Sequence, residues 1–60
     1  MEWLKEARVK KHMTGAQVAT ESGVTQQFYN YIEHGERRPS VETAKKIAAV
    51  LDFPWVRFFE

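Results

Sequence analysis

The stretch Thr25-Gln26-Gln27-Phe28-Tyr29-Asn30-Tyr31-Ile32-Glu33-His34-Gly35 decides how this chain is read. Thr25 suits a helix N-cap, Gly35 suits a stop, and nothing between them breaks a helix. The two faces of that helix differ in kind. Tyr29 and Ile32 stand three apart and share one side. Gln27, Asn30, Tyr31 and His34 follow i, i+3, i+4, i+7 spacing on the other, with Gln26 at the tip. A surface helix that needed only solubility would more usually carry Glu and Lys. Carboxamides at a helix start can pair bidentately with a base edge, adenine above all. Two readings follow from this stretch alone: a recognition helix for duplex DNA, or a solvated polar face with no partner.

Outward from it, the chain reads as helices joined by tight turns. Just before it, Ser22 to Thr25 form a short turn containing Gly23, which sets two helices at a steep angle. Val24 at N′ and Tyr29 at N4 are placed as a hydrophobic staple. Upstream, Thr14 and Gln17 have capping-box spacing and open a helix over Gly15–Ser22, with Val18 and Ala19 as its apolar contact. A first helix is expected over Trp3–His12, with Leu4, Ala7 and Met13 inward and acidic residues before basic ones, as the helix dipole favours. Downstream, Gly35 to Pro39 form a loop, because Pro39 excludes a continuing helix. Ser40 caps a fourth helix whose Val41, Ala44, Ile47, Ala48 and Leu51 make the cleanest amphipathic series in the chain. Asp52 sits where that helix would stop. Pro54 leads into a fifth short helix over Trp55–Phe59. The expected fold is all-α, one domain spanning residues 1–60.

Composition bounds the rest. Sixty residues allow one small core, burying about 60% of the surface an unfolded chain exposes. There is no Cys, and the two His stand far apart, so neither disulfides nor a metal site is expected. No apolar run approaches the ~20 residues of a membrane span, and the expected compartment is the cytoplasm. The chain has no glycine-rich phosphate loop, no thiol nucleophile and no paired carboxylates, so neither an enzyme nor a cofactor is expected. The net charge is only +1, but Arg37-Arg38 and Arg8 with Lys10-Lys11 form two basic clusters that a phosphate backbone could use.

Four fragments then occur in order: Met13-Thr14-x-x-x-Val18-Ala19, Gly23-Val24-Thr25, Ile32-Glu33-x-Gly35 and Arg38-Pro39-Ser40. Together they resemble the phage-repressor helix-turn-helix family, the Cro/cI-like or XRE type, over residues 4 to 53 or so. The resemblance implies a compact five-helix lambda-repressor-like domain, with the helix-turn-helix proper over about 14–35. It also implies a sequence-specific regulator of transcription, a repressor, that inserts helix 26–34 into the major groove of a palindromic or pseudopalindromic operator. By position, Gln26, Gln27 and Tyr31 are its expected base readers, and Arg8 with Glu33 an ion pair that ties the first helix to the recognition helix.

Phe28 either packs against the second helix or meets a thymine methyl at the DNA edge, and Asn30 is either a DNA contact or merely exposed. Thr14, Gln17, Thr25, Arg37 and Arg38 are the expected phosphate contacts, against the plainer readings of Thr14 as a cap and the arginines as a solvated pair. Lys10 and Lys11 read equally well as solvated. Trp55, Val56 and Phe59 are expected at a homodimer interface, against Phe53 and Phe58 simply closing the core. Four positions depart from the family pattern. Gly15 stands where Gln is common, Tyr29 replaces an aliphatic and implies a roomier pocket or a phenol reaching the surface, Tyr31 replaces a common polar or basic residue, and Asp52 stands where Gly is usual. The alternative function keeps the fold but binds a protein, as an interaction or antitoxin-like module without specific DNA reading.

Overall fold

A computed structural model describes residues 1–60. Four α-helices follow in order: α1 (Glu2–Lys10), α2 (Gly15–Ser22), α3 (Gln26–Glu33) and α4 (Val41–Leu51). The segment expected as a fifth α-helix, Trp55–Phe59, is a 3-10 helix instead. Five residues after a proline are too few to propagate i→i+4 bonds, and the tighter winding is the usual form for so short a piece.

Each long-range turn has a local cause. Thr14 caps α2 with its hydroxyl on the Gln17 N–H at 3.1 Å, while the Gln17 carboxamide oxygen accepts the Thr14 N–H at 2.8 Å. Gly23 then closes α2 with φ +73, and the Val24 N–H reaches back to the Ala19 carbonyl at 3.0 Å. That left-handed residue is what allows a sharp turn into α3. Thr25 accepts the Phe28 N–H at 3.1 Å to start α3, and Ser40 accepts the Thr43 N–H at 3.1 Å to start α4. At the end of α4, Asp52 takes φ +63, a conformation that glycine would adopt without strain.

The first helix ends earlier than its composition suggests. It stops at Lys10, and His12 turns left-handed at φ +59. Two backbone bonds fold the end back, His12 N–H to Val9 at 2.9 Å and Met13 N–H to Arg8 at 3.2 Å. The turn delivers Thr14 to its capping position.

Leu4, Val18, Ala19, Tyr29, Ile32, Ala44, Ile47, Leu51 and Phe58 form the core. All four α-helices and the 3-10 helix contribute to it. Val41, expected on the inward stripe of α4, is 48% exposed. It is the first residue of the helix and lies beyond the end of the packed stripe. Trp3, Phe53 and Phe58 stack as a cluster with ring centroids 5.2–5.5 Å apart, closing the core beside the C-terminus.

Candidate nucleic-acid interface

The α2–turn–α3 unit is aimed by one buried contact. Glu33 is 8% exposed at the end of α3, and Arg8 on α1 holds it with Nη2 at 3.0 Å from Oε1. Nε lies 3.3 Å from both carboxylate oxygens. Nη1 donates to the Met13 carbonyl at 3.0 Å. One guanidinium therefore ties α1, the turn before α2 and the end of α3 together. Its hydrogen bond with Glu33 holds the Arg8 pKa above its ordinary value, against the opposing effect of burial. A planar fork with several donors suits this better than an ammonium group.

Tyr29 lies beside that pair and is fully buried. The core accommodates the whole ring where the family usually has an aliphatic, and the phenol does not reach the surface. Its hydroxyl has no hydrogen-bond partner. Burial, with the nearby Glu33 carboxylate second, pushes its pKa upward. A buried ionised phenolate would be desolvated and repelled by the carboxylate.

The opposite face of α3 stands free. Gln26 and Gln27 are exposed at its start, and Tyr31 is half-buried one turn further on. Gln27 Nε2 donates to the Tyr31 hydroxyl at 3.1 Å. Phe28 is half-buried and packs against the core, so only part of its ring remains at the edge of this face. Asn30 is also half-buried, because it turns toward the start of α2. A Cβ on Gly15 would lie 3.4 Å from Asn30 Oδ1 and 3.6 Å from the Tyr29 ring. The missing side chain at 15 thus leaves the room into which Asn30 leans.

The expected phosphate contacts split into two groups. Thr14, Gln17 and Thr25 are exposed but already cap helices, which occupies the Gln17 oxygen and leaves its NH2 outward. Helix starts carry N–H groups with no intrahelical partner and a favourable dipole for anions. Arg37 and Arg38 form no ion pair and lie against rings instead: Arg37 is 5.5 Å from the Tyr31 centroid, Arg38 5.7 Å from that of Phe59. No carboxylate lies within 4 Å of either guanidinium. Lys11, by contrast, lies 3.8 Å from Asp52, away from that face.

At the C-terminus, Val56 and Phe59 are exposed at 44% and 36%, and the half-buried Trp55 packs on Phe59 with centroids 6.1 Å apart. Lys45 covers the Trp55 ring at 5.1 Å. No group of side chains has metal-binding composition, and no helix is long and apolar enough to cross a membrane.

The helix-turn-helix family matches residues 4–58 of this chain. The chain belongs to that family, in its XRE type. It is also similar to an uncharacterized HTH-type transcriptional regulator, YqaF of Bacillus subtilis (strain 168), with 43% identity over 58 residues. The alignment covers 97% of this chain and 76% of the relative. No solved structure matches the chain. Sequence reasoning missed the arginine–ring contacts: neither i, i+3 nor i, i+4 spacing signals a loop residue folding back onto its own helix, as Arg37 does, or onto a ring distant in sequence, as Arg38 does.

Proposed function

We propose that this protein is a DNA-binding transcriptional regulator, a repressor, that reads duplex DNA with the exposed face of α3 and acts as a homodimer on a pseudopalindromic operator. The observation that carries the reading is the free face of α3. It presents Gln26, Gln27 and Tyr31 outward while its opposite face is locked by Tyr29, Ile32 and the Arg8–Glu33 pair. A helix held that firmly, with hydrogen-bonding groups on its open side, suits the major groove, where base edges carry a distinct donor and acceptor pattern. Arg37 and Arg38 beside it, and the capped starts of α2 and α3, supply phosphate contacts. Trp55, Val56 and Phe59 form an apolar end suited to pairing two copies, with their recognition helices about 34 Å apart.

Selection from a random duplex pool tests this. An inverted repeat should be enriched, and its affinity should fall steeply with added salt. Enrichment of no sequence would sink the reading. A Val56→Asp substitution should leave the monomer folded and reduce enrichment to a single half-site. Retention of the full repeat would remove the dimer from the proposal.

The exposed apolar end also supports the second reading, a protein-binding module. In that case the selection yields nothing, and binding to duplex DNA shows no preference for any sequence.

A further inference from the structure

The Gln27–Tyr31 contact changes what these residues are to each other. Gln27 is among the side chains with most rotamer freedom to lose on binding. In this structure its Nε2 is already engaged, donating to the Tyr31 hydroxyl at 3.1 Å across one turn of α3. Tyr31 is itself held from two sides. The Arg37 guanidinium stands 5.5 Å from its ring centroid. Its backbone carbonyl accepts the Glu36 N–H at 2.8 Å and the Arg37 N–H at 3.2 Å, which fixes the loop that carries that arginine. The chain of contacts therefore runs from the loop, through the ring, to the carboxamide.

The donor count shows what is left for a ligand. A Gln carboxamide has two N–H donors and one carbonyl acceptor. Tyr31 uses one donor. One donor and one acceptor remain, which is the pair that adenine N7 and N6 require for bidentate reading. Reading adenine requires that the phenol take the N–H trans to the carbonyl, leaving the cis N–H for N7 and the carbonyl oxygen for N6; the same contact limits the rotamers of the carboxamide.

We infer that Tyr31 is a positioning residue that holds Gln27 set to read adenine, rather than an independent reader of its own base. This rests on the proposed reading of duplex DNA by α3. It goes further by coupling the two residues and naming the base. Pre-organisation of this kind lowers the ordering cost of binding and raises discrimination at one position, leaving the rest of the interface unchanged.

The test compares wild type, Tyr31→Phe, Gln27→Ala and the double variant in selections from a random duplex pool. Thermal melts and side-chain amide NMR of the free proteins run alongside. Wild type should enrich adenine at one position of each half-site. Tyr31→Phe keeps the ring and its Arg37 contact, so its melting temperature should not move. It should lose about tenfold of the adenine preference at that one position, within the range for a single bidentate contact. In the Gln27→Ala background the same Phe substitution should change nothing further there. The Gln27 side-chain amide signals of the free protein should shift in Tyr31→Phe.

The inference is overturned if the enriched base is not adenine, or if Tyr31→Phe alters a different position. It is also overturned if the two substitutions act independently, or if Tyr31→Phe leaves the preference intact. If wild type enriches no sequence, both the duplex reading and this inference fail. If wild type enriches a sequence and only the coupling is missing, the duplex reading stands and this inference alone falls.

Discussion

The two ends of this molecule are held by different physics. The α2–α3 end is fixed by directional bonds: reciprocal caps at Thr14 and Gln17, a cap at Thr25, and the Arg8–Glu33 pair at 3.0 Å. The C-terminal end is fixed by rings, with Trp3, Phe53 and Phe58 stacked at 5.2–5.5 Å. Directional bonds set an orientation but add little net stability each, whereas burial of rings adds much and specifies orientation loosely. The end proposed to present side chains to DNA uses the first. The end that must close a sixty-residue core uses the second.

The largest test of that contrast is Phe58→Ala. It should cost about 4 kcal/mol, read by chemical denaturation, because a ring in the core is lost and a cavity is left. Any folded fraction should keep the base preference of the wild type. Loss of the preference in molecules that remain folded would show that the aromatic end also aims α3.

Next comes Glu33→Ala, which strands the Arg8 guanidinium and should cost about 3 kcal/mol. Here stability and DNA affinity should fall together if the pair sets the angle at which α3 is presented, as the proposed function requires. Affinity lost with stability intact would remove the structural role assigned to the pair.

Alkaline pH probes the same corner through Tyr29. An unfolded tyrosine ionises near its ordinary value of about 10. In the folded protein, burial and Glu33 hold the phenol protonated to higher pH. Stability fully present below pH ~10 should therefore fall as pH rises beyond it, at up to about 1.4 kcal/mol per pH unit. Tyr29→Phe should lack that loss, and an unchanged alkaline slope would place the titration elsewhere.

The smallest effect is expected at Asp52, whose φ of +63 favours glycine. Asp52→Gly should gain about 0.5 kcal/mol and raise the melting temperature by roughly 2–4 °C, with the Lys11 pair a minor loss. A lower melting temperature would mean that the pair outweighs the strain.

Much of the fold could be read along the chain because its signals are local. Caps at Thr14, Thr25 and Ser40, the stop at Gly23 and the stripe from Ala44 to Leu51 act within one or two turns. The end of α1 could not be read this way, because the turn at His12 answers to where Arg8 must meet Met13 and Glu33. Val41 fits the apolar period, yet it stands 48% exposed at the start of α4. The short C-terminal helix was legible as an element but not in its winding.

For the candidate interface, sequence alone determined the residue types on α3 and the periodicity that separates its buried and open faces, since both follow from 3.6 residues per turn. Tertiary structure decided which of those open groups are free. Phe28 and Asn30 are drawn partly inward by the core and by the space at Gly15. Arg37 and Arg38 fold onto rings, one within α3 and one at the C-terminus. A side chain's neighbours across a loop depend on packing among elements distant in sequence, and no local period encodes that.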